Sequence, residues 1–362
     1  MRFPGVPARP AGDCLVDRGF GGHLCDLTVH DAVGSAAFPC IQEGRMKTMA
    51  IVLEQPERIA FSALDLTQPT DDDVVVDIDY SGISTGTEKL LWNGRMPVFP
   101  GMGYPLVPGY ESVGHVVAAG PGSHRSVGER VFVPGARCYG EVRGLFGGAS
   151  SRIVVPGARV APVSETLGER AVLLALAATA YHAVAGGGRR QPIVPPELIV
   201  GHGVLGRLLA RMTVVAGFAP PTVWETNPQR AAGAIGYPVR HPDDDARRDY
   251  RAVYDVSGDA QILDRLIARL APGGEVVLAG FYTDPLNFNF APAFMREAQI
   301  RCAAEWQRPD LLAVCELAET GRLSLDGLIT HHDQPQNAGT AYRTAFADPE
   351  CLKMVLDWRN CQ

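Results

Sequence analysis

What this 362-residue chain lacks narrows its role first. It has no basic excess: 33 Lys and Arg against 40 Asp and Glu leave a net charge of −7, so no general positive field awaits nucleic acid. It has no long hydrophobic run. The longest apolar stretch, Ala171 to Ala185, is interrupted by Thr179, Tyr181 and His182; it is too short and too polar to span a bilayer and reads as a buried helix. It has no paired cysteines. Cys14, Cys25, Cys40, Cys138, Cys302, Cys315, Cys351 and Cys361 are scattered, with no C-x-x-C pair and no zinc spacing, which fits reduced thiols in a cytoplasmic protein. There are no internal repeats and no low-complexity tracts. Residues 1–45 mix Gly, Pro, Arg and three cysteines without periodicity and without the apolar core of a signal peptide. They read as an extension outside the fold, with Met46 or Met49 as the natural start; a partly disordered N-terminal arm is the other reading.

What is there is organised around one stretch, Glu197 to Ala210. Leu198-Ile-Val200 is a short apolar run, expected to be a buried strand. Gly201-x-Gly203-x-x-Gly206 is a turn, and Val204 to Val215 is an apolar-rich helix. Strand, glycine turn and helix in that order are the dinucleotide fingerprint. Gly201 permits the tight turn, Gly203 lets the backbone approach a pyrophosphate, and Gly206 lets helix and strand pack closely. Val204 and Leu205 open the helix, whose free N–H groups and positive dipole end face the phosphates. A second strand, Thr222-Val-Trp224, ends in Glu225, 24 residues after Gly201, where a ribose-binding acid belongs. A carboxylate there pairs with the adenosine 2′-OH and repels a 2′-phosphate, so the expected cofactor is NAD.

Around this unit the pattern divides. From Met46 to about Pro162, short strands (Ala50–Leu53, Asp73–Tyr80, Ser112–Ala118, Arg130–Val133, Arg152–Val155) alternate with Gly- and Pro-rich turns, as in an all-β barrel. Leu167 to Ala185 is expected to be helical. After Glu225 come a helix, the strand Arg251–Asp255, the helix Gln261–Leu270, the turn Ala271–Gly274 and the strand Glu275–Ala279. Strands alternating with helices imply a parallel sheet. Helices return over Pro309–Thr320 and Asn337–Ala347.

The chain resembles the medium-chain dehydrogenase/reductase superfamily over residues 46–360. The resemblance rests on Gly109-x-Glu111-x-x-Gly114 with Gly120, Gly128-Glu-Arg-Val131, Thr179-Ala-Tyr-His182, the glycine fingerprint, Pro272-Gly-Gly274, and Leu328-Ile-Thr-His331 with Lys353. It implies an α/β enzyme: a GroES-like β-barrel catalytic domain over 46–170, a Rossmann NAD-binding domain over 171–304, and a return to the barrel over 305–362. Zinc-dependent members hold a catalytic Zn²⁺ with Cys, His and Cys. Here those positions align with Ser84, Tyr110 and Ala175, which cannot supply a tetrahedral thiolate–imidazole set, and the four-cysteine structural lobe is missing. A zinc-free enzyme is therefore expected. More narrowly, the runs Tyr80–Met96, Pro105–Gly114 and Gly201–Arg207 resemble a zinc-free family that oxidises the 3-(1-hydroxyethyl) group of a bacteriochlorophyllide to 3-acetyl with NAD, in bacteriochlorophyll biosynthesis. That resemblance implies a bacteriochlorin substrate.

Without zinc, hydrogen-bonding side chains must stabilise the alkoxide. Tyr110, at a lost ligand position, is the first candidate; an aromatic filler of the emptied site is the equal alternative. Ser84 and Thr87 are candidates to extend a proton relay and His182 to end it, against a turn hydroxyl and a satisfied buried imidazole. Glu111, with Glu88, is either an acid/base pair or a buried hydrogen-bonded pair. On the cofactor side, family analogy puts Thr179 near the nicotinamide and Arg230 over the adenosine ribose. Arg207 is open between the pyrophosphate and an ordinary surface position. Ser257 and Phe281 follow strands and so lie at the carboxyl edge of the sheet, where ligands bind. The loop from Trp92 to Tyr104, with Arg95, Met96 and Phe99, has the aromatic and Met character of a chlorin wall, Arg95 or Lys89 being the candidate partner for a propionate. A substrate lid or a subunit contact fits that loop equally. The rival activities are a zinc-free quinone or enoyl reductase and a non-catalytic tetrapyrrole-binding protein. The substrate's hydrophobicity leaves a peripheral membrane position open, and a homodimer is open too.

Overall fold

The computed structural model describes residues 46–186, 193–303 and 305–361. The expected N-terminal extension, 1–45, lies outside the described residues. Among them are a four-stranded sheet, a seven-stranded sheet in which six strands lie in one row and the seventh pairs off it, and a six-stranded sheet.

The first two form the barrel half. Lys47–Gln55 pairs antiparallel with Arg58–Asp65, a strand the sequence pattern did not single out. Asp73–Ile83 is the spine of the larger sheet and pairs with Ser112–Ala119 and Arg152–Pro156. Val74, Val75, Val76 and Ile78 on it are buried, so both faces of this strand are covered. The C-terminal strand Met354–Asp357 returns to lie antiparallel against Ile83–Tyr80. This is how Lys353, far away in sequence, comes to stand beside the Gly109–Gly114 motif.

The six-stranded sheet is parallel throughout. Its order is Val239–Arg240, Thr222–Trp224, Leu198–Val200, Tyr250–Asp255, Leu270–Leu278, Gln299–Cys302. The chain runs outward one way from Leu198–Val200 and then restarts beside it. That reversal leaves a crevice beyond the strands' carboxyl ends. Helices Leu174–Ala185, Val204–Val215 and Arg308–Glu319 share one core with this sheet.

Several boundaries differ from expectation. The segment expected to be one helix over Leu167–Ala185 is a 3₁₀ stretch, Glu165–Leu173, broken at Gly168, followed by the α-helix. The helix after Glu225 is only Pro228–Ala231, capped by the Asn227 side chain accepting from Gln229 N–H. The turn Ala271–Gly274 lies inside the strand Leu270–Leu278, and Gln261–Leu270 is helical only over Leu263–Ile267. Short βα units leave little room for helix, and tertiary pairing overrides the local pattern.

The fingerprint glycines differ in what a side chain would meet. Gly201 has φ +103°. A Cβ on Gly206 would sit 1.9 Å from the Gly201 carbonyl oxygen, whereas one on Gly203 would meet nothing within 4 Å. The first clash is with backbone and cannot be relieved by a side-chain swing. Gly206→Ala should therefore destabilise the protein by about 3 kcal/mol or more, the upper range for overpacking, seen as a lower urea midpoint. Gly203→Ala should leave that midpoint within about 1 kcal/mol and lose dinucleotide affinity instead. Equal midpoints for the two variants would contradict the packing argument.

Candidate active site

A cleft of about 1460 Å³ runs between the barrel and the parallel sheet. At one end it is floored by the fingerprint. Thr179, Gly201, Gly203, Val204, Leu205, Gly206, Glu225, Arg230, Ser257 and Phe281, all expected on the cofactor side, line it; Arg207 does not. The Glu225 carboxylate accepts from the N–H groups of His202 (3.1 Å) and Asn227 (2.7 Å), which fixes it at the end of its strand. His202 is fully buried. Its Nδ1 meets the Arg230 carbonyl at 2.6 Å and its Nε2 the Tyr237 hydroxyl at 2.9 Å. Burial pushes the imidazole down to about 4, so it is neutral, with Nδ1–H donating to the carbonyl and Nε2 accepting from the phenol. His202 thus ties the glycine turn to the segment carrying Arg230.

Arg207 is neither at the pyrophosphate nor on the surface, which corrects both readings of it. It is buried, and its guanidinium donates to the carbonyls of His202 (3.0 Å), Arg230 (3.0 Å) and Ala232 (2.8 Å). Both edges of the planar group are used to hold the loop after Glu225.

At the other end, three hydroxyls converge on the cleft. Tyr110 Oη lies 2.5 Å from Ser84 Oγ and donates to Thr87 Oγ1 at 3.3 Å. The Tyr110 ring packs edge-on against Phe146, with centroids 5.4 Å apart. Burial, and then the charge of Glu111, raise the Tyr110 pKa well above the usual phenol value. Tyr110 therefore stays neutral: a hydrogen-bond donor and not a phenolate base. Thr179, on the facing helix, donates to the Ala175 carbonyl one turn back (3.1 Å) and still lines the cleft.

Beneath the hydroxyls lies a buried charged layer. Lys353 Nζ donates to Glu111 Oε2 (2.6 Å) and to the Ile83 carbonyl (3.1 Å). Glu88 accepts from Ser84 N–H (2.9 Å) and from the Tyr342 hydroxyl (2.8 Å). Burial pushes Glu88 up to about 7; its two hydrogen bonds oppose this and Glu111's charge adds to it. Burial also raises Glu111, against the pull of Lys353. Glu111 lies behind the cleft's lining, so it supports the site and does not face the reacting oxygen.

Other expectations need correction. His182 is not part of the cleft lining; its Nδ1 is held at 2.8 Å by Asp310, whose carboxylate also caps the helix Arg308–Glu319. A relay from Tyr110 does not end there. Trp92 packs against Tyr342 and Phe346 behind the wall. Arg95 reaches across to Thr283 (3.2 Å) and Asp284 (3.1 Å), clasping the barrel loop to the parallel-sheet half. Of that loop only Met96 and Phe99 line the cleft. The rest of the apolar wall, Pro134, Phe146, Leu176 and Trp306, comes from four distant segments and left no signal in the sequence.

Residues 70–165 match the family model for the alcohol dehydrogenase GroES-like domain. A Bacillus subtilis 2R,3R-butanediol dehydrogenase structure is similar in fold at 19% identity, with a TM-score of 0.74, covering 86% of this chain and 99% of its own. A thermostable alcohol dehydrogenase from Pyrobaculum aerophilum is similar at 21% identity and a TM-score of 0.71, covering 86% and 100%. Much nearer in sequence is a 2-desacetyl-2-hydroxyethyl bacteriochlorophyllide A dehydrogenase of Rhodobacter capsulatus. It is 56% identical over 318 residues, which are 88% of this chain and 100% of that protein. Its counterpart in Cereibacter sphaeroides is 54% identical, over 87% and 99%. The chain belongs to the 2-desacetyl-2-hydroxyethyl bacteriochlorophyllide A dehydrogenase family, within the medium-chain dehydrogenase/reductase superfamily.

Proposed function

We propose that this chain oxidises the hydroxyethyl side chain of a bacteriochlorophyllide to acetyl, with NAD and without zinc, as a step of bacteriochlorophyll biosynthesis. The observation that carries the reading is one cleft joining a complete dinucleotide fingerprint to the Ser84–Tyr110–Thr87 hydroxyl cluster. The names of the two nearly full-length relatives supply the substrate class.

The fit to a dinucleotide rests on this chain's own geometry. Space is open over Gly203, the helix N-terminus at Val204 faces it, and Glu225 is fixed at the strand end by two backbone N–H groups. Gly201, Gly203 and Val204 would hold the pyrophosphate, Glu225 the adenosine ribose with Arg230 beside it, and Thr179 with Ser257 and Phe281 the nicotinamide half. When bound, the nicotinamide supplies the hydride acceptor. The protein's part is to hold the alcohol and stabilise the charge that develops on its oxygen as C–H hydride departs. Tyr110, kept neutral by burial, donates a hydrogen bond to that oxygen. Ser84 and Thr87 carry the hydroxyl proton away from it toward solvent. Glu88 positions Ser84 through its backbone N–H.

We read the exposed edge strand Gln299–Cys302, beside exposed Phe290, Phe294 and Met295, as a homodimer contact, which light scattering would report as twice the chain mass. No helix among the described residues is long and apolar enough to cross a membrane. We place the enzyme in the cytoplasm, peripheral to the photosynthetic membrane that holds its hydrophobic pigment.

Four outcomes test this reading. Tyr110→Phe, assayed by single-turnover hydride transfer with a metal chelator present, should cut the rate by about 10²–10³-fold while nucleotide affinity is unchanged; an unchanged rate makes Tyr110 a filler. Loss of wild-type activity in chelator would show that a metal is needed after all. Glu225→Ser should admit NADP and weaken NAD by roughly 1–3 kcal/mol; wild-type preference for NADP would place the acid wrongly. Glu88 titrates near 4.5 when unfolded and about 7 when folded. Its protonated form is the one the fold favours, so this contribution is full below 4.5 and is lost as pH rises through 7. Glu88→Gln stays neutral and keeps an acceptor for Ser84. Its stability advantage over wild type should grow between pH 5 and 8 to about 3 kcal/mol. A pH-independent difference would mean Glu88 does not titrate in that window.

A further inference from the structure

The hydroxyl cluster and the nucleotide floor leave one charged group on the cleft wall unused. Six lysine and arginine side chains line the cleft, and five of them are engaged. Lys89 donates to the Phe346 carbonyl (3.0 Å), Arg230 to that of Pro349 (2.6 Å), Arg265 to Asp243 (2.5 Å), Lys353 to Glu111 (2.6 Å), and Arg308 to the carbonyls of Ala158 and Val160. Arg159 is the sixth. Among the described residues its guanidinium has neither a hydrogen-bond nor an ion-pair partner. Surrounding protein, and then the like charge of Arg137, lower its pKa. An arginine stays charged regardless, so this solvent-exposed guanidinium is an unpaired cation on the cleft wall, free to pair with a carboxylate.

The backbone that presents Arg159 is held from three sides. Gly157 N–H donates to the Asp72 carbonyl (2.9 Å), and the Gly157 carbonyl accepts from Arg125 (3.1 Å). Arg308, from the segment after the parallel sheet, clamps the carbonyls on either side of Arg159. The Arg137 charge that acts on Arg159 lies one residue after Ala136, whose N–H donates to the Phe146 carbonyl (2.9 Å), and the Phe146 ring packs on Tyr110, which ties this turn to the apolar end of the cleft. Glu305 lines the cleft as well, but forms no ion pair with either arginine among the described residues. Arg95, expected to meet the pigment's acid, is spent on Asp284.

We infer that Arg159 binds the free propionate carboxylate of the tetrapyrrole, so that the enzyme selects the acid form of the pigment over its esters. This rests on the activity proposed above. A planar guanidinium grips a carboxylate through two parallel N–H···O bonds, which an ester cannot accept with the same strength. A macrocycle lying against Phe146 and Trp306 would be fixed in orientation by that one polar anchor, with its hydroxyethyl group turned toward Tyr110. Arg159 is thus a specificity-determining residue, and its effect belongs in KM.

The test compares the free acid and the methyl ester of a hydroxyethyl bacteriochlorin as substrates for wild type, Arg159→Gln and Arg159→Lys, with NAD affinity measured alongside. The wild type should show a KM about 10- to 100-fold higher for the ester, with kcat nearly unchanged. Arg159→Gln should bring the acid to the ester's KM and leave the ester and NAD unaffected. Arg159→Lys should fall between, keeping charge without the fork. Equal effects of Arg159→Gln on acid and ester would reduce Arg159 to a packing role and overturn the inference, as would no effect on either. If wild type oxidises neither compound, the proposed activity itself fails. If it oxidises both alike, only the carboxylate assignment fails.

Discussion

The helix Val204–Val215 can lie against the end of the strand Leu198–Val200 only because residue 206 has no side chain. A Cβ there would stand 1.9 Å from the Gly201 carbonyl oxygen. That single approach sets the direction of the helix N-terminus, and much else follows from it. With the helix in place, Arg207 points under the turn and reaches the carbonyls of Arg230 and Ala232, one turn later Arg211 reaches those of Ser324 and Asp326, and His202 is sealed between them. The backbone N–H of His202 then holds Glu225. The nucleotide floor is therefore one connected unit of backbone and buried polar groups. Leaving any one of these groups unpaired would cost about 1–3 kcal/mol, which keeps the unit rigid before a ligand arrives.

The barrel side obeys a different constraint. Two carboxylates, Glu88 and Glu111, and one ammonium, Lys353, are all but fully buried within the same small region. Three ionised groups with a net negative charge are unfavourable in a low dielectric, and the imbalance is relieved by raising the pKa of the carboxylate that lacks a direct cation. Glu88 is that carboxylate. Its protonation state bears on Ser84, whose N–H it accepts, and Ser84 in turn contacts Tyr110. The chain thus sets a neutral phenol, Tyr110, above a carboxylate layer. The phenol's own pKa is driven up by the same burial and the same negative charge. Donor chemistry and not base chemistry is what such surroundings favour.

The legibility of these two ends in the sequence follows from how each is encoded. The nucleotide end was readable nearly residue by residue because its determinants are local. A three-residue strand, three glycines at fixed spacing and an acid at the next strand's end lie within 28 residues, Leu198 to Glu225. Backbone geometry dictates each of them. Ser84 and Tyr110 were singled out through the positions at which the resemblance leaves zinc ligands missing, with Thr87 beside them, and the structure brings the three hydroxyls together. Arg207 was misread because a helical arginine near a phosphate site gives no local sign of whether it points outward or beneath the turn. For His182 the alternative of a satisfied buried imidazole is the one the structure bears out, and Arg95 was misread; the partners, Asp310 and Asp284, are more than a hundred residues away. The edge strands Arg58–Asp65 and Gln299–Cys302 escaped notice because neither shows clean alternation, and their pairing comes from neighbours and not from their own pattern.

The apolar end of the cleft was the least legible, and the reason bears on how such an enzyme acquires its substrate. Pro134 and Phe146 come from barrel loops, Leu176 from the helix that bridges the halves, and Trp306 and Arg308 from the chain after the last parallel strand. Among the described residues, only the Pro134 and Phe146 loops of this set are joined by a backbone bond, Ala136 N–H to the Phe146 carbonyl (2.9 Å). The segments meet because the barrel and the parallel sheet are packed through a common core in which Val113, Phe132 and Leu174 touch the same cluster as Ile199 and Leu311. Substrate shape is thus read by side chains on independent supports, while the cofactor is read by backbone on a single one. This end of the fold therefore draws its lining from several loops and not from one local motif. The clamp of Arg308 on the turn carrying Arg159 is a further link, in which one wall segment fixes another. A cross-link of that kind is what a loop-built pocket needs at the one point where a charge must be held in register with the reacting hydroxyl.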